Sequence, residues 1–146
     1  MTTRKERQVE IESSKCIIVV AEELSPGLAA NVAAVLAVTI GRDLEAIVGA
    51  ESIDGSGDRH AGLIKITLPI LKAQKEAIKQ IRGRANATPE LHVVDVTEPA
   101  QTARTYSDYL EKMTALSSEE LSYLGVALYG DKRLVNKLTG NLPLLQ

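Results

Sequence analysis

The sequence predicts an α/β domain: three layers, α/β/α, around a small mixed, mostly parallel sheet. Three observations predict it. Short apolar runs rich in β-branched residues recur along the chain, segments with helical spacing lie between them, and the first run, Cys16 to Ala21, is apolar without a break. An unbroken run of that kind suits a strand covered on both faces, and strands alternating with helices suit a layered α/β domain.

The elements follow in order. Residues 1–12 alternate charge and polarity and read as a flexible arm ahead of one domain over 13–146. Cys16–Ala21 is the first strand, ended by Glu22 and Glu23. Ser25-Pro26 then starts a helix, with Ser as the cap and Pro at the first helical position. This helix is Ala-rich, apolar almost all round, and stops near Gly41. Such a helix is covered on more than one side, by the sheet and by a second layer or a second subunit. Ala46-Ile47-Val48 reads as a short extended segment and Asp54–Asp58 as a turn. Leu63–Leu68 reads as a strand closed by Pro69, and Leu71–Arg84 as a helix with Leu71, Ile78 and Ile81 on one face. Leu91–Asp95 is another strand. Thr97 and Pro99 open a helix that sets Ala103, Tyr106, Leu110 and Met113 on its apolar face. Ser117 and Glu120 have capping-box spacing. Leu124–Tyr129 is the last strand, and Asp131 caps a final helix that Gly140 ends.

Composition narrows the function. Of 146 residues, 45% are hydrophobic and 25% charged, as in an ordinary globular domain. The net charge of −2 excludes a strongly basic nucleic-acid binder. With no Phe, no Trp and four Tyr, the chain lacks the aromatics of a base-stacking platform. A single cysteine, Cys16, allows no internal disulfide. The opening fifteen residues have no apolar core, so they do not read as a secretory signal. The longest apolar stretch, Val32–Val38, falls far short of the roughly 20 residues a membrane span needs. A cytoplasmic protein without membrane contact is the expectation.

Candidate chemistry sits at strand ends, where ligands of open α/β sheets bind. Glu23 and Asp95 are such ends, and if their strands are neighbours they converge beside the helix start at Gly27. His60 follows Asp54, Asp58 and Arg59 in a glycine-rich loop, but the spacing fits no metal-ligand motif, and neither the dinucleotide nor the Walker pattern occurs. No metal or cofactor is expected. From Lys65 to Arg84, Lys65, Lys72, Lys75, Lys79, Arg82 and Arg84 face a single acid, Glu76, a local charge of +5. A stripe of this kind would meet an RNA backbone, although a solvated face is the commoner outcome.

Two stretches carry a resemblance. Lys15-Cys-Ile-Ile-Val-Val-Ala-Glu-Glu-Leu-Ser-Pro-Gly27 with its Ala-rich helix resembles the start of the type-two peptidyl-tRNA hydrolases. Leu128-Tyr-Gly, followed by Leu134-Val-Asn-Lys-Leu-Thr-Gly140-Asn-Leu-Pro-Leu-Leu145, is similar to their ending. More closely, the chain resembles an uncharacterised bacterial domain-of-unknown-function family of the same fold. That likeness lies at Gly27-Leu-Ala-Ala-Asn31, at Asp54–His60, at Arg104-Thr-Tyr106 and in the tail. The resemblance covers Lys15 to Leu145 and implies the hydrolase-like fold and a homodimer. The hydrolases carry Lys-Gly-Lys at the first helix start, where Pro26 and Leu28 flank Gly27 here. Their helix also carries Gln and His, where this one is apolar around Val32 and Val35. What is implied is a small-ligand-binding or interaction module without the hydrolase lysines. The alternative is a hydrolase of an ester or a peptidyl-tRNA-like substrate. The implied catalytic candidates are Asp95, Thr97 and His60; the implied ligand-binding candidates are Glu23, Gly27, Asn31, Arg104 and Thr105.

Overall fold

In the computed structural model the described residues are 12–42 and 44–146, so all but the end of the expected arm lies outside them. The elements run β1 (Ser14–Ala21), α1 (Pro26–Gly41), a 3₁₀ turn (Glu45–Ile47), β2 (Ser52–Ile53), β3 (Arg59–His60), β4 (Ile70–Ala73) and α2 (Lys75–Asn86). There follow β5 (His92–Thr97), α3 (Pro99–Thr102), α4 (Tyr106–Thr114), β6 (Tyr123–Asp131) and α5 (Lys132–Thr139). Four strands form one sheet in the order β4-β1-β6-β5.

The sheet is mixed, and less parallel than expected. Strands β1, β4 and β5 run the same way, but β6 lies between β1 and β5, so only β1–β4 is a parallel pair. The connection from β5 to β6 spans residues 98–122 and carries α3 and α4, yet β6 re-enters antiparallel and inserts between β1 and β5.

Alternation along β1 divides the core. Cys16, Ile18 and Val20 face α1 together with Val32, Leu36 and Ile40. Ile17, Val19 and Ala21 face the other side with Ile78 and Ile81 of α2 and Val135 of α5. Helices thus cover both faces, the arrangement that an uninterrupted apolar strand demands. Cys16 is buried, and burial pushes its thiol up to about 11. It stays protonated and inert at neutral pH.

Local chemistry explains the helix boundaries. The Ser25 side chain accepts from the Leu28 N–H at 3.5 Å, with Pro26 at the first position of α1. Asp131 accepts from the Arg133 N–H at 2.8 Å to start α5. Ser117 and Glu120 form the expected reciprocal box, Ser117 N–H to Glu120 Oε1 at 3.1 Å and Glu120 N–H to Ser117 Oγ at 3.3 Å, around a single turn.

Several expectations are corrected. Leu63–Leu68 is no strand: only Ile64 makes an isolated bridge, to Val48, and the strand lies beyond Pro69. The Pro69 carbonyl accepts from the Ile18 N–H, so this proline leads into β4 rather than closing a strand. Ala46 and Ile47 belong to the 3₁₀ turn. The helix after Thr97 is two helices, because Ala103 is extended (ψ 141°) and Thr105 recaps at the Asp108 N–H. Tyr106 is 74% exposed rather than core. Gly140 ends α5 at φ −63°, without the left-handed cap.

Candidate ligand-binding cleft

A cleft of about 400 Å³ opens beside β5, at the sheet edge, between α1 and the α3–α4 pair. Val35 and Thr39 form one wall, Val94, Asp95 and Val96 the floor, and Ala103, Arg104, Thr105, Tyr106 and Tyr109 the other wall. Its size is that of small-molecule sites, and its lining is mainly apolar with a few polar groups, as such sites usually are. The wall exists because the chain breaks at Ala103. The break turns α4 so that Tyr106 and Tyr109 stand over the strand, their rings 5.5 Å apart.

Electrostatics in the cleft are uneven. The Asp95 carboxylate is about a fifth exposed and pairs with Arg82 of α2, Nε to Oδ2 at 3.2 Å. Arg82 also stands 5.8 Å from the centre of the Tyr123 ring, a cation–π distance. Burial, then the charge of Asp95, pushes the Tyr109 hydroxyl up, so it remains a neutral donor. Arg104 donates its backbone N–H to Asp108. Among the described residues no carboxylate pairs with its guanidinium.

The remaining sequence candidates lie elsewhere. Thr97 is fully buried, and its hydroxyl reaches Met113 Sδ at 3.3 Å. His60 sits on the exposed β2–β3 hairpin, where its Nε2–H donates to Asp54 Oδ2 at 2.8 Å. That bond first, and then the Ser56 and Asp58 backbone N–H groups, hold the Asp54 carboxyl below its ordinary range. Among the described residues no three His, Cys, Asp or Glu side chains gather to hold a metal ion. Glu23 is exposed and 3.9 Å from Lys75. Gly27 and Asn31 are exposed at the start of α1, outside the cleft lining. The expected convergence of Glu23 with Asp95 fails because β6 separates β1 from β5.

Of the eight candidates, Asp95, Arg104 and Thr105 line the cleft. Val35, Thr39, Val94, Val96, Ala103 and Tyr109 also line it, and sequence reasoning did not offer them as site residues. The one available signal was the tyrosine pair at three-residue spacing, which puts both rings on one side of a helix.

The basic stripe is also resolved by geometry. Lys75 meets Glu23 at 3.9 Å, Lys79 meets Glu119 at 3.1 Å, and Arg82 meets Asp95. Acids from three other elements neutralise the helix, and Lys72 belongs to β4. The local +5 does not form a continuous cationic face.

A layered α/β domain with an apolar cleft at a sheet edge is the class that this geometry defines. Within that class, the chain belongs to the family described as protein of unknown function, DUF2000, which it matches over residues 14–146. A protein of unknown function from Agrobacterium tumefaciens strain C58 has the same fold, with a TM-score of 0.82 at 20% identity over 90% of this chain and 97% of that one. No curated protein matches the chain. Among the described residues no helix is long and apolar enough to cross a membrane.

Proposed function

We propose that this protein is a binding module whose β5-edge cleft takes a small molecule with an apolar body and an acidic group. The observation that carries the reading is Arg104, which among the described residues pairs with no carboxylate, on the rim of a mainly apolar cleft. Thr105 and the neutral Tyr109 hydroxyl add polar contacts beside it. The likeness to type-two peptidyl-tRNA hydrolases enters this reading as a scaffold only. Asp95 is held by Arg82, the Thr97 hydroxyl is buried on a thioether, and His60 lies on a separate hairpin. Among the described residues no nucleophile sits hydrogen-bonded to a base in the cleft, as acyl transfer needs.

The test is titration with benzoate and octanoate, read by NMR at Val35, Tyr106 and Tyr109. Saturable shifts are expected, with affinity falling about tenfold in Arg104→Ala, the scale of one charge-assisted hydrogen bond. Unchanged affinity in Arg104→Ala would remove the reading. Ester hydrolysis lost in Asp95→Asn would replace it with a hydrolase.

The homodimer belongs to the same proposal, as does a cytoplasmic location, where a lone buried thiol is at home. What supports a dimer is the exposed side of α1, where Leu28 and Val38 are 44% and 79% exposed. Apolar side chains grouped on a helix are a surface for association. Sedimentation is expected to give twice the chain mass for the wild type and the chain mass for Val38→Glu. A monomeric wild type would reject the dimer.

A further inference from the structure

A second pocket, of about 480 Å³, lies at the end of the sheet where β1 begins. Its lining comes from segments far apart in sequence: Glu12, Ser14 and Lys15 at the start of β1, Lys65–Thr67 ahead of β4, and Lys132 at the first position of α5. Among the described lining residues the charge is unbalanced: three lysines against one glutamate leave a net +2. Among the described residues no carboxylate lies within ion-pair distance of Lys15, Lys65 or Lys132. Among the described residues Lys15 donates to the neutral Asn136 Oδ1, at 2.7 Å. The nearby acid, Asp131, is already engaged by the Arg133 N–H at 2.8 Å and the Arg133 guanidinium at 3.7 Å. The contrast is with α2, where Lys75, Lys79 and Arg82 each meet an acid from another element. Like charges gathered around one concavity repel, and a bound anion is the counterion that offsets this.

We propose that Lys15, Lys65 and Lys132 form a binding site for a soluble phosphomonoester. A phosphomonoester carries about −1.5 to −2 charges at neutral pH, which matches the net +2 of the pocket. Lysines bind phosphate as point charges and do not need the planar fork that favours carboxylates at arginine. The Thr67 hydroxyl adds a donor. Ile66 gives the organic part an apolar wall. This site shares no residue with the β5-edge cleft, so the two readings stand or fall separately.

The experiment titrates the full chain with phenyl phosphate at low salt, with benzenesulfonate as an aryl control of similar size carrying one charge. Saturable binding of phenyl phosphate is expected, about tenfold tighter than benzenesulfonate. Lys65→Ala and Lys132→Ala are each expected to weaken it roughly fivefold to tenfold, and Lys65→Glu with Lys132→Glu to abolish it. Both side chains are exposed, so the far-UV circular dichroism of these variants stays that of the wild type. The proposal is overturned if phenyl phosphate does not saturate, if benzenesulfonate binds equally, or if the double variant keeps the affinity.

Discussion

A chain lacking Leu142–Gln146 is expected to lose about 2 kcal/mol of stability, on the scale of two backbone hydrogen bonds and two partly buried leucines. It is also expected to self-associate in proportion to concentration. The tail lies along the outer edge of β4. The Lys72 N–H donates to the Pro143 carbonyl at 3.0 Å, the Leu145 N–H donates to the Ile70 carbonyl at 2.9 Å, and Leu144 bridges Leu71. Its side chains clamp both layers, Leu142 on the α2–α5 side and Leu145 on the α1 side. Removing it bares the β4 edge, and an open edge templates pairing with another chain. Urea denaturation reads the first effect and light scattering the second. A truncated chain with the wild-type midpoint and scattering would show that the tail is ornamental to β4.

Strong local signals made most of this fold legible. β1 and β6 are apolar and buried, and α1 opens on Ser25-Pro26, so each could be placed before any contact was known. β4 could not. It is four residues long, and its register is set by hydrogen bonds to β1, while the longer Leu63–Leu68 run carried the apolar pattern. Pro69 read as a stop because proline lacks the N–H a ladder needs, yet at the entry to a strand that loss costs little. The basic stripe failed for a similar reason. Its partners, Glu23, Glu119 and Asp95, come from other elements, and a count of neighbouring charges does not reach them. The cleft was half legible. Asp95, Arg104 and Thr105 are polar and drew attention, whereas Val35, Val94 and Ala103 are ordinary apolar residues until α4 folds over β5.

Gly125→Ala is expected to destabilise the protein by about 2 kcal/mol, within the range for overpacking a filled core. Gly125 lies on β6 under α1, where an added Cβ would stand 2.6 Å from Val32 Cγ1, 2.9 Å from Leu36 Cδ1 and 3.1 Å from the Val19 carbonyl. No positive φ demands glycine there, so the requirement is for space and not for backbone freedom. Ordinarily Gly→Ala gains about 0.4–1 kcal/mol by restricting the unfolded chain, so a loss must come from the clash. The helix has little room to withdraw: Val32 and Leu36 are fully buried, and the same stretch of α1 packs on β5. A double-mutant cycle separates the causes. Val32→Ala alone opens a void, and combined with Gly125→Ala it removes the methyl that the new Cβ strikes. The double variant is therefore expected to be more stable, by about 1 kcal/mol or more, than the two single losses predict together. Strict additivity in denaturant titrations would mean that α1 shifts as a body to admit the methyl. Because Val35 and Thr39 ride on the same helix, that shift would widen the β5-edge cleft, and benzoate affinity in Gly125→Ala would then fall along with stability.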